Sequence, residues 1–275
     1  MYQDIFDNQT IGTFNNTTGE YAVDDYVYTE NAEALLQLNT HNYSGAINDL
    51  TGIQDAVNMT TFYLSNNTGG STITTVDLSN NSSLHYVLLQ YLDDLTSISL
   101  SNNVRQIGVN HNDSLTSLDL SHLNNITSYL QITNNDNLAS LTLPNVSSTV
   151  LTNMSLHDNS LYGHIDLSGY TGLKQIYVQN NLLDTLTLGG SLTQAGGNNL
   201  TGAMLTHIDA TNAAGSGMLT VVCGTTAQAN NLFELAMANP NYYAFDSGTE
   251  IVAYASGLMS GPVFNTTHNM MTVIP

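Results

Sequence analysis

Basic side chains are almost missing from this chain of 275 residues: Arg105 and Lys174 stand against 22 acidic groups, for a formal charge of −20. Polyanion binding needs cations to displace counterions, so nucleic acid and anionic membrane surfaces are disfavoured as partners. Two basic residues also leave trypsin-like proteases almost nothing to cut, which suits life outside cells. Cysteine is reduced to Cys223, which excludes an internal disulfide and a cysteine metal knuckle. No apolar run reaches the 18 residues that mark a membrane helix. The opening MYQDIFDNQT has neither a basic nor an apolar region and does not read as a signal peptide as written. Export is therefore expected by a route invisible here, or by lysis as part of a particle. Ends tied down in a packed assembly are the corresponding expectation.

Enzyme signatures are missing too. GxxxxGK[ST], HExxH, GxSxG and GxGxxG do not occur, and the sole lysine sits inside a strand pattern. The eight histidines show no metal-ligand spacing. Asp77, Asp119, Asp166 and Asp209 stand too far apart for a common calcium site, and Asp93–Asp94 in a turn is the one loose cation candidate. No enzyme, cofactor or resident metal is predicted. Fourteen N-x-[ST] sites, among them Asn8, Asn42, Asn112, Asn153 and Asn265, are what a chain rich in Asn, Ser and Thr produces by chance.

What is present is a repeat. An apolar-x-x-apolar-x-apolar phrase returns about every eleven residues between Met59 and Cys223: LTSISL at 95–100, LTSLDL at 115–120, LASLTL at 138–143, LKQIYV at 173–178. One unit cannot bury its own apolar side chains, so units must stack into a solenoid. The third apolar residue of each phrase runs Leu64, Leu78, Leu89, Leu100, Val109, Leu120, Ile132, Leu143, Leu156, Leu167, Val178, Leu188, Ala210, Cys223. Two phrases per coil place successive strands on opposite walls, about seven coils in all. Asparagine pairs follow many strands (Asn66–Asn67, Asn80–Asn81, Asn102–Asn103, Asn134–Asn135, Asn180–Asn181), where they satisfy the corners.

The segment Leu50, Gly52, Ile53, Ala56, Asn58, Met59 resembles the lead-in of internalin-type leucine-rich repeat proteins. The body resembles nested-period repeats of bacterial and phage proteins, in which a unit of about 22 residues holds two near-identical halves of about 11. That resemblance covers about 60% of the chain. It implies a leucine-rich-repeat fold used for adhesion, recognition and assembly, and brings no catalytic residues. The fold class expected is mostly β: a leucine-rich-repeat-type β-solenoid with strands on two opposite faces. A small helical N-terminal cap and an α+β C-terminal cap close it. The divisions are an N-terminal arm at 1–29, a cap at 30–58 with its helix over ENAEALLQLN (30–39), the solenoid at 59–224 and a C-terminal cap at 225–275. YAVDDYVY (21–28) reads as a broken strand, and the glycine-rich stretch after Leu188 as an insertion or a degenerate half-coil. A helix over 225–240 is capped by Thr225 or Thr226 and stopped by Pro240, and EIVAY and MMTVI read as strands covering the last coil.

Alternation then sorts the outward residues. One wall is small and polar, with Asp77, Ser97, Ser99, Asp119, Thr142, Asp166, Thr187, and with His207, Asp209 and Thr211 assigned to it. The other is bulkier: Tyr86, Gln106, Asn110, Tyr129, Gln131, Thr133, Asn153, Gln175, Tyr177 and Gln179. Rings and amides suit sugars or protein partners. Tyr86, Gln106, Tyr129, Gln131, Asn153, Gln175, Tyr177 and Gln179 are the candidate binding residues, although both walls also read as plain solvated strand surfaces. The function expected is a non-enzymatic structural or interaction protein on a virion or cell exterior. It would contact copies of itself, other surface proteins or a glycan; the alternative is a monomeric bacterial surface adhesin.

Overall fold

The computed structural model describes residues 13–15, 20–22, 33, 35–40, 47–66, 70–127, 129–145, 151–189, 193–194, 204–205, 207–214, 217–255, 258–260, 262–263 and 272–273. Both chain ends, where tight packing was expected, lie outside them, as do 23–28 of the expected arm strand; Glu20–Ala22 pairs antiparallel with Thr13–Asn15.

The chain winds into a leucine-rich-repeat-type β-solenoid with two walls of parallel strands. The first wall is one sheet of nine: Gln37–Asn39, Thr61–Ser65, Tyr86–Gln90, Gln106–Asn110, Tyr129–Thr133, Asn153–Ser155, Gln175–Tyr177, His207–Asp209 and Tyr243–Ala244. Seven of the nine come from the repeat, and the segments before and after it add one strand at each end. The opposite wall comes in three pieces. Thr75–Leu78 pairs with Ser97–Leu100, and Ser117–Asp119 with Ser140–Thr142. Tyr162–Leu167 then starts a run through Leu182–Leu188 and Thr220–Cys223 to Glu250–Ala255. Leu100 and Val109 therefore stand on opposite walls, as the half-repeat pattern requires.

Inward residues close the space between the walls. Leu64, Leu89, Val109, Leu120, Ile132, Leu156, Leu167 and Val178 are all completely buried. Each such side chain contributes about 1.5–3 kcal/mol by leaving water. Cys223 belongs to this core at 2% exposure, and burial pushes its thiol up to about 12. A thiolate is the reactive form. Native protein is therefore expected to stay silent toward a disulfide reagent at pH 8 and to release one equivalent when denaturant is added. Rapid labelling without denaturant contradicts this burial.

The corner after the first wall is sealed by side chains. Asn112, Asn135, Asn159 and Asn181 sit one above another inside the turn, at 0%, 0%, 7% and 0% exposure. Asn135 Nδ2 donates to the carbonyls of Val109 and Thr133 and to Asn159 Oδ1, while its own Oδ1 accepts from Asn112 N. Asn181 Nδ2 donates to the carbonyls of Leu156, Val178 and Gln179. Just before each of these lies a residue with φ of 55°, namely His111, Asn134, Asp158 and Asn180, and Tyr91 continues the column at 56°. Left-handed backbone is uncommon outside glycine, asparagine and aspartate. A tyrosine and a histidine adopt it here because the turn repeats in every coil.

Several expectations are corrected. The helix over 30–39 does not run through: Gln37–Asn39 is a strand in register with Thr61–Tyr63, since an extended segment continues the exposed sheet edge. His207–Asp209 belongs to the first wall, opposite Gln175–Tyr177, because strict alternation continues past the insertion after Leu188. Asn110 and Thr133 are buried rather than outward, paired to each other by a 2.9 Å hydrogen bond from Thr133 Oγ1. At the far end the helix is Thr226–Ala238, with the Thr225 hydroxyl accepting from Gln228 N. It packs on Glu250–Ala255 and buries Ala229, Leu232, Phe233 and Ala236. The expected terminal strands appear as Glu250–Ala255 and Thr272–Val273. Of the glycine-rich stretch, Gly189 is buried, Thr193–Gln194 pairs in parallel with Met204–Leu205, and the rest lies outside the described residues.

Candidate recognition surface

Parallel pairing without a shift lines up the outward residues of the first wall in files. Tyr86 is opposite Gln106, and the neighbouring pair Ile107 and Leu130 sets Gln106 beside Tyr129. Tyr129 then faces Asn153, and Asn153 faces Gln175. Gln131, Ser155 and Tyr177 form a second file two residues along. Gln179 follows in the next, where its carbonyl accepts from Asp158 N. All eight sequence-derived candidates thus share one wall, and every one except the more exposed Asn153 is half-buried.

The side chains brace one another. Burial, with help from a hydrogen bond between Tyr129 and Tyr86, pushes the Tyr129 phenol well above its ordinary value. Tyr63, absent from the sequence-derived set, donates its hydroxyl to Gln90 Oε1 at 3.0 Å. Leu88 lies across Gly108: a Cβ there would meet Leu88 Cδ1 at 2.5 Å. The wall is therefore built mainly of rings and amides, with Leu88 and Ser155 among them and Asp209 beside Tyr177 at its far end. Ordered rings lose little entropy on contact.

The corner column continues that surface. The Tyr91 and His111 rings stack at 4.6 Å and 6°, one coil apart. Asn180 Nδ2 donates to Asp158 Oδ1, and His157 Nδ1 lies 2.5 Å from Asp158 Oδ2. Burial raises the Asp158 carboxyl, but these two hydrogen bonds and the nearby imidazoles outweigh it and hold the group below the usual carboxylate value. Of this column, the sequence placed Asn134 and Asn180 at corners, while nothing in the types of Tyr91, His111 and Asp158 announces that they share the same left-handed turn.

Arg105 and Lys174 occupy equivalent places at the start of this wall. Each immediately precedes a first-file glutamine, and each backbone N–H bonds the preceding coil, Arg105 to the His85 carbonyl and Lys174 to the Thr152 carbonyl. Both are exposed.

The opposite wall uses its aspartates differently. Asp77, Asp119 and Asp166 recur at every second coil, and each turns its Oδ1 back to accept the N–H of the serine two residues on, at 3.0, 2.9 and 2.8 Å. Asp49 does the same for Thr51. These are Asx-type corner caps, and bonds from the following Ser or Thr hold all four carboxyls below the ordinary value. A depressed folded-state pKa adds stability that is present above the unfolded value, near 4, and is lost as pH falls through the folded value. Triple replacement of Asp77, Asp119 and Asp166 by alanine is therefore expected to flatten the acid limb of Tm against pH below about pH 4. An unchanged acid limb in that variant contradicts the capping role.

No three His, Cys, Asp or Glu side chains form a group able to hold a metal among the described residues. Asp93 and Asp94 are exposed in a turn. No helix among them is long and apolar enough to cross a membrane.

No family model matches the chain, and no curated protein does. Among solved structures it is similar to one described as the functional domain of InlJ from Listeria monocytogenes, which includes a cysteine ladder. Identity is 22% and the TM-score 0.39, over 75% of this chain and 53% of that one. The chain thus spans about half the length of that structure, and at these values the likeness adds nothing to the architecture described above.

Proposed function

We propose that the protein is a non-enzymatic interaction protein displayed on a cell or virion exterior, and that the Tyr/Gln wall is its recognition surface. The observation that carries this reading is the unbroken register of Tyr86, Gln106, Tyr129, Asn153 and Gln175, flanked by Gln131, Tyr177 and Gln179. Rings supply contact area, amides adapt their hydrogen bonds to hydroxyls or peptide groups, and the wall is braced in advance. The ends of the nine-stranded sheet, Gln37–Asn39 and Tyr243–Ala244, supply strand edges for assembly contacts.

The two walls provide the test. Purified protein is applied to a glycan panel and to intact cells, alongside Tyr86→Ala/Tyr129→Ala and Ser97→Ala/Ser99→Ala. The first double variant is expected to lose binding and the second to keep it. Binding that survives the tyrosine variant and disappears with the serine variant refutes the assignment of the wall. Light scattering across a concentration series addresses assembly. A monomer at every concentration removes the end contacts and leaves the monomeric-adhesin alternative, which uses the same wall.

A further inference from the structure

We infer that the Tyr/Gln wall takes a carboxylate-bearing saccharide in preference to a neutral one, with Arg105 as the carboxylate anchor and Lys174 as a second cation along the same rim. This rests on the reading of that wall as the recognition surface and adds the chemistry of its ligand.

The placement of charge carries it. The chain has two permanent cations among 275 residues, and both fall in the same position of the coil, directly before the first file of the same wall. Their backbone hydrogen bonds are equivalent: Arg105 and Gln106 both donate to the His85 carbonyl, and Lys174 and Gln175 both donate to the Thr152 carbonyl. Three strand spacings separate them, roughly 14 Å at 4.8 Å each. Between them run Gln106, Tyr129, Asn153 and Gln175, which carry no charge. His85 holds the same position one coil before Arg105, next to Tyr86.

A net charge of −20 repels a densely charged polyanion approaching from a distance. Screening confines that repulsion to about 8–10 Å at physiological salt. A ligand that is mostly hydroxyls, with a single carboxylate per few sugar units, meets the uncharged file first and a guanidinium at its rim. The planar guanidinium matches a carboxylate with two parallel hydrogen bonds, a geometry that an ammonium lacks. The rings of Tyr86 and Tyr129 flank Gln106, the residue next to that guanidinium, so a sugar face on the rings brings its carboxylate toward Arg105.

The experiment uses the intact chain against a panel of uronic-acid and sialic-acid oligosaccharides, each beside its methyl ester, with sulfated oligosaccharides as a second anionic arm. The expected result is that at least one carboxylate form binds about tenfold or more tightly than its ester, the ratio for losing a charge-assisted hydrogen bond. Arg105→Gln removes that difference, bringing acid binding down to the level of the ester in the same variant, with the thermal unfolding midpoint unchanged, and Lys174→Gln lowers acid binding by a smaller factor. Added salt weakens the acid form alone. Equal binding of acid and ester, or an Arg105→Gln variant that still prefers the acid, overturns the inference while the wall remains a glycan surface. Binding of the sulfated arm only, or of no carboxylated member, overturns it as well. Failure of the wall itself appears separately, as acid binding that survives Tyr86→Ala/Tyr129→Ala.

Discussion

Asn135→Ala is expected to destabilise the protein by about 3–4 kcal/mol, several times the cost of an ordinary surface change. The Asn135 side chain donates to the Val109 and Thr133 carbonyls and to Asn159 Oδ1, and accepts from Asn112 N. All four contacts lie in a corner closed to water, with Asn112 and Asn135 at 0% exposure. Alanine leaves the Asn112 N–H buried without its acceptor, at roughly 1–3 kcal/mol, and removes the three bonds the side chain donates, each worth about 0.5–1.5 kcal/mol, although the Thr133 carbonyl keeps the His111 N–H. Urea unfolding measures the loss. The matched control is Asn103→Ala, whose exposed side chain makes a single bond to the Ser82 carbonyl and whose removal is expected to cost about 1 kcal/mol or less. Equal costs at the two positions would show that the ladder contributes no more than a solvated turn.

The walls were legible in the sequence because period and polarity fix them together. Once LTSISL and RQIGVN are read as successive half-turns, the inward set Ile98, Leu100, Ile107, Val109 follows from alternation, and the outward files follow with it. The corners were legible only in part. Asparagine pairs were read as corner residues, yet the buried ladder takes one member from Asn134–Asn135 and Asn180–Asn181 and recruits Asn112 and Asn159, which belong to no pair. What selects a ladder position is its place three residues after the inward Val109, Ile132, Leu156 and Val178. A lone asparagine there matters more than a doublet elsewhere, such as Asn102–Asn103, which is exposed. Chain ends of the solenoid were harder still. Leu35, Leu36 and Leu38 fit a helical face, but pairing with the sheet strand Thr61–Ser65 makes Gln37–Asn39 extended, a tertiary demand that local periodicity does not record.

The candidate surface divides along the same line. Its eight residues came from alternation, which is why the structure gathers all of them on one wall. Tyr63 escaped because it stands in the first full repeat, where lead-in and repeat phrases overlap. Arg105 and Lys174 escaped because Lys174 was read as lying inside a strand, whereas it precedes Gln175–Tyr177 by one residue just as Arg105 precedes Gln106–Asn110, and their equivalence appears only when hydrogen bonds align the coils.

The second large effect is expected at Leu120, in the middle of the solenoid. Leu120 is completely buried, and its backbone N–H bonds the Thr142 carbonyl of the next coil. Leu120→Ala removes apolar surface and opens a cavity that the stacked coils cannot close without breaking their register, for a loss of about 2–5 kcal/mol. Its consequence exceeds the local cost. In a stacked array stability is a sum of unit terms and nearest-neighbour interfaces, so weakening a central interface uncouples the two halves. The piece holding Ser117–Asp119 and Ser140–Thr142 joins the other two pieces of its wall by no strand pairing among the described residues, so coupling there depends on the core and on the nine-stranded sheet. Circular dichroism and tyrosine fluorescence are expected to report coincident unfolding for the parent chain and separate midpoints for Leu120→Ala, with a lower apparent m value. The same deletion near the start of the sheet, Leu38→Ala, should lower stability and keep the transitions coincident, because few coils lie beyond it. Coincident transitions in both variants would mean that the solenoid folds as one indivisible unit, held across its middle by the nine-stranded wall alone.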